Sequence, residues 1–158
     1  MTERREMPPI RHATYINSPP ERVYEALSTG AGWDSWFTTR ASIDARASGQ
    51  YEFFWQDFGA ERTTLTLSGP VTEADPGRSF AFRWGSGKGE TTVRFSLEER
   101  EPGTIVQVTE TGYSYDEADV ISCLDCACGW GEALTLLKFY LEHGVRYGEV
   151  PPAQRGQG

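Results

Sequence analysis

Basic residues are scarce in this chain. Fifteen Lys and Arg face 23 Asp and Glu, a formal charge of −8 at neutral pH. Such a chain repels phosphate backbones unless its cations cluster, and Arg4, Arg5 and Arg11 are only scattered near the N-terminus, so a nucleic-acid partner is not expected. Histidine is scarcer still, with His12 and His143 alone. No Ser-His-Asp set can be assembled from them. Three cysteines are too few for a disulfide framework and read as reduced thiols. The Cys123-x-x-Cys126-x-Cys128 run lacks a fourth zinc ligand nearby, and on a regular helix Cys128 points away from the other two. No metal and no cofactor are expected; a helix that began only after Cys128 would reopen the metal reading. Long apolar runs are missing as well. Nothing approaches the roughly 20 residues that span a bilayer, and Met1 to Pro9 is too polar for a signal peptide. The expected location is cytoplasmic, without a membrane span. The glycine-rich stretch around Lys88 has no Gly-Lys-Ser or Gly-Lys-Thr ending and no following helix, which reads as a hairpin turn rather than a phosphate loop.

What is abundant is aromatic: five Trp, seven Tyr and eight Phe, 13% of 158 residues. That length fits one domain with a sizeable core. Residues 1–9 read as a disordered arm, 10–147 as the single domain, and 148–158 as a flexible tail. A first strand is expected over Arg11 to Asn17. Ser18-Pro19-Pro20-Glu21 then opens a helix, with Ser18 as N-cap and an apolar face of Val23, Ala26 and Leu27. Gly30 and Gly32 should end it, leaving Trp33-Asp34-Ser35-Trp36-Phe37 in a loop or short turn. The middle alternates with period two: Tyr51, Phe53 and Trp55; Leu65, Leu67 and Val71; Phe80, Phe82 and Trp84; Val93, Phe95 and Leu97; Val106 and Val108. Turn signals at Asp75-Pro76-Gly77-Arg78, Gly85 to Gly89 and Glu101-Pro102-Gly103-Thr104 separate these runs, as antiparallel sheet requires. A final helix is expected from Asp119 to His143. Its stripe is Trp130, Leu134, Leu137 and Leu141, extended backwards by Cys123, Cys126 and Ala127, and Gly144 stops it.

Several segments together resemble a known family. They are Ser18-Pro-Pro-Glu-Arg-Val-Tyr-Glu-Ala-Leu27 and Trp33-x-x-Trp36-Phe37; then Pro76-Gly77-Arg78-Ser79-Phe80-Ala81-Phe82-Arg83-Trp84 and Val106-x-Val108-x-Glu110-x-Gly112; and Gly129-Trp130-x-x-Ala133-Leu134-x-x-Leu137-Lys138-x-Tyr140-Leu141. Over about residues 10 to 145 the chain is similar to the START-like (SRPBCC) superfamily, in the AHSA-type branch that resembles the C-terminal domain of the activator of the heat-shock-protein-ninety ATPase. The resemblance implies an α+β helix-grip fold: a curved antiparallel sheet around a long C-terminal helix, with two short helices after the first strand. It implies a cavity between sheet and helix. Members bind lipids, sterols, hormones or polyketides, and some catalyse cyclisation or dehydration. It also implies stress-response and chaperone-contact roles, although this sequence shows no separate N-terminal chaperone-binding domain. Fold likeness alone does not settle function.

The cavity so implied would hold a hydrophobic, lipid-like or aromatic small molecule. Its expected lining is Trp33, Trp36, Phe53, Trp55, Leu67, Phe82, Trp84, Phe95, Val108, Glu110, Cys126, Trp130 and Leu134, with Trp33, Trp36 and Trp130 at the mouth. Glu110 continues the parity of Val106 and Val108, so strict alternation aims it inward. Facing an apolar cavity, its carboxyl would be pushed up by desolvation and could serve as a catalytic acid or base. The sequence leaves two other readings open: a strand that ends near Thr109 and solvates Glu110, or a pairing with Arg83 or Arg94. Enzyme, binding protein and chaperone-interaction module all remain on the table, and a homodimer is expected from general frequency alone.

Overall fold

The computed structural model describes residues 5–86 and 89–147. The elements run β1 (Ile10–Ile16), α1 (Pro20–Ser28), α2 (Gly30–Trp36), β2 (Arg40–Ile43), β3 (Gln50–Phe58), β4 (Thr63–Asp75), β5 (Ser79–Ser86), β6 (Gly89–Arg100), β7 (Gly103–Thr111) and α3 (Glu117–His143). All seven strands join one antiparallel sheet in the order β1-β7-β6-β5-β4-β3-β2. Hairpins join β2 through β7 in sequence, and β1 closes the far edge against β7. The result is the α+β helix-grip architecture, with α3 held against the concave face.

Alternation builds that face. Phe80, Phe82, Val93, Phe95, Val106 and Val108 are fully buried, and Glu110 is buried with them. Against these, α3 packs Cys123, Trp130, Ala133, Leu134, Leu137 and Leu141. Asp119 caps the turn before α3 from inside the helix, accepting from the Ser114 N–H at 2.9 Å and the Ser114 hydroxyl at 2.8 Å. Gly144 ends α3 in the left-handed conformation, at φ 68°. Ala127 is exposed, so the buried stripe reaches back through Cys123 and Cys126 without it.

The short helices differ from the sequence expectation. Ser18 does not cap α1; Pro19 occupies that position and makes no side-chain cap bond. The Ser18 hydroxyl is buried with no partner among the described residues. Gly30 and Gly32 do not end α1 either. They open α2, and the expected aromatic loop is helical through Trp36. These glycines allow close packing: a Cβ on Gly30 would lie 2.3 Å from the Ala41 carbonyl oxygen, and one on Gly32 would lie 2.7 Å from the Ala26 Cα. Short-range signals read the glycines as terminators because they could not see what approaches them.

Of the expected arm, residues 5–9 are described, and two of them pair with the chain after β7. Glu6 bridges Ser114, and the Met7 N–H donates to the Tyr113 carbonyl at 2.7 Å. Residues 1–4, residues 87–88 of the Gly85 to Gly89 turn, and the tail from 148 lie outside the described residues.

The helix α3 is long and apolar enough to cross a membrane, with mean hydropathy 1.4 over its most apolar stretch. The sequence expectation missed this because Val, Ile, Leu, Cys and Ala raise mean hydropathy although Asp, Gly, Trp, Glu and Thr interrupt the apolar run. Its buried stripe packs on the sheet, as the stripe of a core helix does.

Candidate functional site

The site begins with a buried carboxylate. Glu110 lies on β7 opposite Val93 of β6, and it is 0% exposed. Three donors converge on it. Thr91 Oγ1 and Tyr113 Oη lie 2.6 Å from its Oε2, and Trp130 Nε1 donates to its Oε1 at 2.8 Å. A carboxylate is an acceptor on every lone pair, so three converging donors match its needs. The sequence reading aimed Glu110 inward correctly. It did not find the partners: Arg83 pairs with Glu90 and Arg94 with Glu73, both at the surface. Strand parity already put those arginines on the opposite face. Among the described residues no cation pairs with Glu110.

Trp130 carries this polar cluster to a cavity. One edge of its indole faces Glu110, while its ring packs edge-on against Phe95 at 5.7 Å and beside Trp84 at 5.8 Å. The cavity beyond has a volume of about 270 Å³. Helix α3 supplies Asp125, Cys126, Gly129, Trp130 and Glu132; β5 supplies Trp84; the chain after α2 supplies Phe37; the β3–β4 hairpin supplies Phe58 and Gly59; Tyr147 closes one side after α3.

Of the expected lining, Trp84, Cys126 and Trp130 meet at this cavity. Trp55 stands behind it, edge-on to Trp84 at 6.1 Å. Phe53 and Phe82 support Trp84 from below, at 6.4 and 5.8 Å. Leu67, half-buried, sits opposite Phe53 on β4. Val108 and Leu134 are core residues, 0% exposed. Glu110 is not among the described lining residues and meets the cavity through Trp130.

Trp33 and Trp36 do not close the mouth. Both are fully buried, and Trp33 stacks on Phe53 at 4.3 Å. Their indoles answer a different need. The last carbonyls of a helix have no partner inside it. Thr29 Oγ1 donates to the Glu25 carbonyl at 2.8 Å, Trp36 Nε1 to Ala26 at 2.9 Å and Trp33 Nε1 to Leu27 at 2.7 Å. The aromatic knot therefore seals the end of α1. Asp34 turns away from any mouth and accepts from the Thr38 hydroxyl at 2.7 Å. Burial pushes its carboxyl up, opposed by the Thr38 bond.

Phe58 was missed for a physical reason. Strict alternation puts it on the face opposite Trp55. The β3–β4 register shifts between Trp55 and Phe58, with Asp57 at φ 54°. This bulge brings Phe58 to 6.0 Å from Trp55 and 5.5 Å from Phe37. Gly129 did carry a signal. It sits in mid-helix, yet a Cβ there would meet nothing within 4 Å. Packing does not demand glycine at that position, and glycine keeps the cavity edge open.

The cysteines are graded rather than clustered: Cys123 buried, Cys126 half-buried, Cys128 exposed. Burial pushes the Cys123 thiol up, and the charges of Glu110 and Asp119 push it further. Among the described residues no three His, Cys, Asp or Glu side chains gather as metal ligands would. The Trp55 and Trp84 indole N–H groups are buried with no acceptor among the described residues.

Comparison with known proteins agrees with this fold. The structure is similar to the Aha1 dimer from Colwellia psychrerythraea, with 25% identity and a TM-score of 0.70 over 87% of this chain and 98% of that one. It is similar to protein SSP2350 from Staphylococcus saprophyticus, with 24% identity and a TM-score of 0.71 over 90% and 98%. It also matches DynU16, a putative protein in the dynemicin biosynthetic locus, with 20% identity and a TM-score of 0.73 over 88% of this chain and 49% of that one. No curated protein matches the sequence. The family model for Activator of Hsp90 ATPase homolog 1-like proteins matches residues 17–142. With most of its length covered by that model and its sheet gripping α3 as the fold demands, the chain belongs to the Activator of Hsp90 ATPase homolog 1-like family.

Proposed function

We propose that this protein binds a small hydrophobic or aromatic molecule between α3 and the β3–β5 end of the sheet. The observation that carries this reading is the cavity itself: five of its lining side chains are aromatic, namely Phe37, Phe58, Trp84, Trp130 and Tyr147. Ligand sites are typically apolar concavities with a few polar groups. At about 270 Å³ the space equals roughly nine water molecules at about 30 Å³ each. That suits one or two rings and is small for a sterol or a long acyl chain. Binding is favoured over turnover because Glu110, the best acid-base candidate, already spends its oxygens on Thr91, Tyr113 and Trp130. A cyclase or dehydratase would need that carboxylate at the cavity wall.

The test is saturable binding of a neutral two-ring fluorophore. Gly129→Leu should abolish the saturable signal while the thermal transition is kept, because leucine would fill the open edge. Equal binding by the variant, or no saturable binding by either protein, would reject this cavity.

Family membership supports a second reading, an interaction with the chaperone ATPase named by the family. A pull-down with purified chaperone decides it; cavity variants should then bind normally. The Colwellia relative is a dimer, and the same assembly is proposed here, to be checked by light scattering across a dilution series. A cytoplasmic location is proposed as well, and cell fractionation would check it.

A further inference from the structure

Resting on the reading of the cavity as a ligand site, we infer that its ligand is a compact organic cation, a protonated amine or quaternary ammonium. Two acids stand at the rim, Asp125 and Glu132, and neither Lys nor Arg lines the cavity among the described residues. They are seven residues apart on α3, so they lie on the same side of the helix two turns apart. Between them open Cys126 and Gly129. From Glu117 to Leu137 this helix carries Glu117, Asp119, Asp125 and Glu132 and no base; Lys138 is the first. An anionic ligand would meet repulsion from both acids there.

The ring faces add a second attraction. Cations bind over aromatic faces, most strongly over Trp. Trp84 and Trp130 both present surface to the cavity. Trp130 also donates its N–H to the Glu110 carboxylate at 2.8 Å. A carboxylate accepting from an indole N–H pushes electron density into the ring and makes its face more negative. Glu110 thereby acts on the cavity through Trp130 without touching its contents. It is a positioning and polarising residue for a cation site. This use accounts for a carboxylate buried without a cationic partner among the described residues.

The experiment compares three ligands of similar size by displacement of the neutral fluorophore: phenyltrimethylammonium, its uncharged isostere tert-butylbenzene, and benzenesulfonate. The cation should bind about tenfold tighter than tert-butylbenzene, and benzenesulfonate weakest. Combining Asp125→Asn with Glu132→Gln, both exposed substitutions, should narrow the preference to about threefold, the remainder being ring attraction. The loss should fall on phenyltrimethylammonium more than on tert-butylbenzene. Equal or tighter binding of tert-butylbenzene or benzenesulfonate by the unaltered protein would overturn cation selectivity and leave the ligand site standing. A preference that survives the double substitution at full size would overturn the role of the rim acids. Failure of all three to displace a bound fluorophore would overturn this inference alone. Failure of the fluorophore itself to bind would remove the site and the inference together.

Discussion

Gly129 is the residue at which helix stability and ligand access conflict. Glycine in a helix interior costs about 0.5–1 kcal/mol relative to alanine. A Cβ at position 129 meets nothing, so Gly129→Ala should raise stability by about that amount in urea titration. A loss would mean the backbone there is not regular helix. Glu110 presents the opposite case. In Glu110→Gln the amide N–H group meets a ring of donors, Thr91, Tyr113 and Trp130. Leaving such a donor unsatisfied costs about 1–3 kcal/mol. A variant within about 0.5 kcal/mol of the parent would mean the donors rotate to suit the amide. The three thiols make a third residue-level test. Cys128 should react first with a maleimide and Cys123 last, because burial and two nearby carboxylates hold the Cys123 thiol up. Cys126 lines the cavity, so a bound ligand should slow its labelling alone.

The short helices show how an element depends on side chains from its neighbour. Thr29, Trp36 and Trp33 satisfy the final carbonyls of α1. Trp36→Phe keeps most of the ring but removes its N–H from the Ala26 carbonyl. Its cost should be about 1–3 kcal/mol in denaturant unfolding, a larger loss than any exposed substitution on α1. Close to α1, the C-terminal part of α3 is tied to the end of β1. Lys138 pairs with Glu142 at 2.8 Å and also donates to the Tyr15 carbonyl; the Asn17 N–H donates to Glu142 at 3.3 Å. The Lys138 bond holds the Glu142 carboxyl below the ordinary carboxylate range. A folded-state value below the unfolded one stabilises at neutral pH, and that contribution disappears as pH falls through the folded value. Glu142→Gln should therefore lower stability by at most about 1 kcal/mol at pH 7. Variant and parent should converge only below the usual carboxylate range. A constant difference at all pH values would assign the effect to packing. The outer side of α3 is apolar as well, with Ile121, Leu124 and Phe139 at least half exposed.

For the whole molecule, the antiparallel strands and the long helix could be read directly, and strict alternation aimed Glu110 inward while a solvated or arginine-paired carboxylate stayed open. Each is a matter of period: two for Phe80, Phe82 and Trp84, about 3.6 for Trp130, Leu134, Leu137 and Leu141. A local rule suffices where the environment is uniform along an element, as it is on a sheet face. The same rule failed at Gly30 and Gly32, where the decisive fact is the approach of Ala41 and Ala26 from elsewhere in the chain. It failed at Phe58, where one bulge reverses the face of a side chain. It also misassigned Trp33 and Trp36. Composition cannot distinguish an indole that lines a cavity from one that caps a helix; the deciding quantity is where the N–H finds its acceptor. The sequence by itself determined the antiparallel strands, the long C-terminal helix and the polarity of their faces, because short-range stereochemistry and alternation carry that information; the helix-grip arrangement was implied by the family resemblance, and the tertiary structure decided that Glu110 is buried. Only the tertiary structure decided which aromatics enclose the open space and which fill the core. That depends on distances between β3, β5, α2 and α3, segments as far apart in sequence as Phe37 and Trp130, and no local pattern encodes such distances.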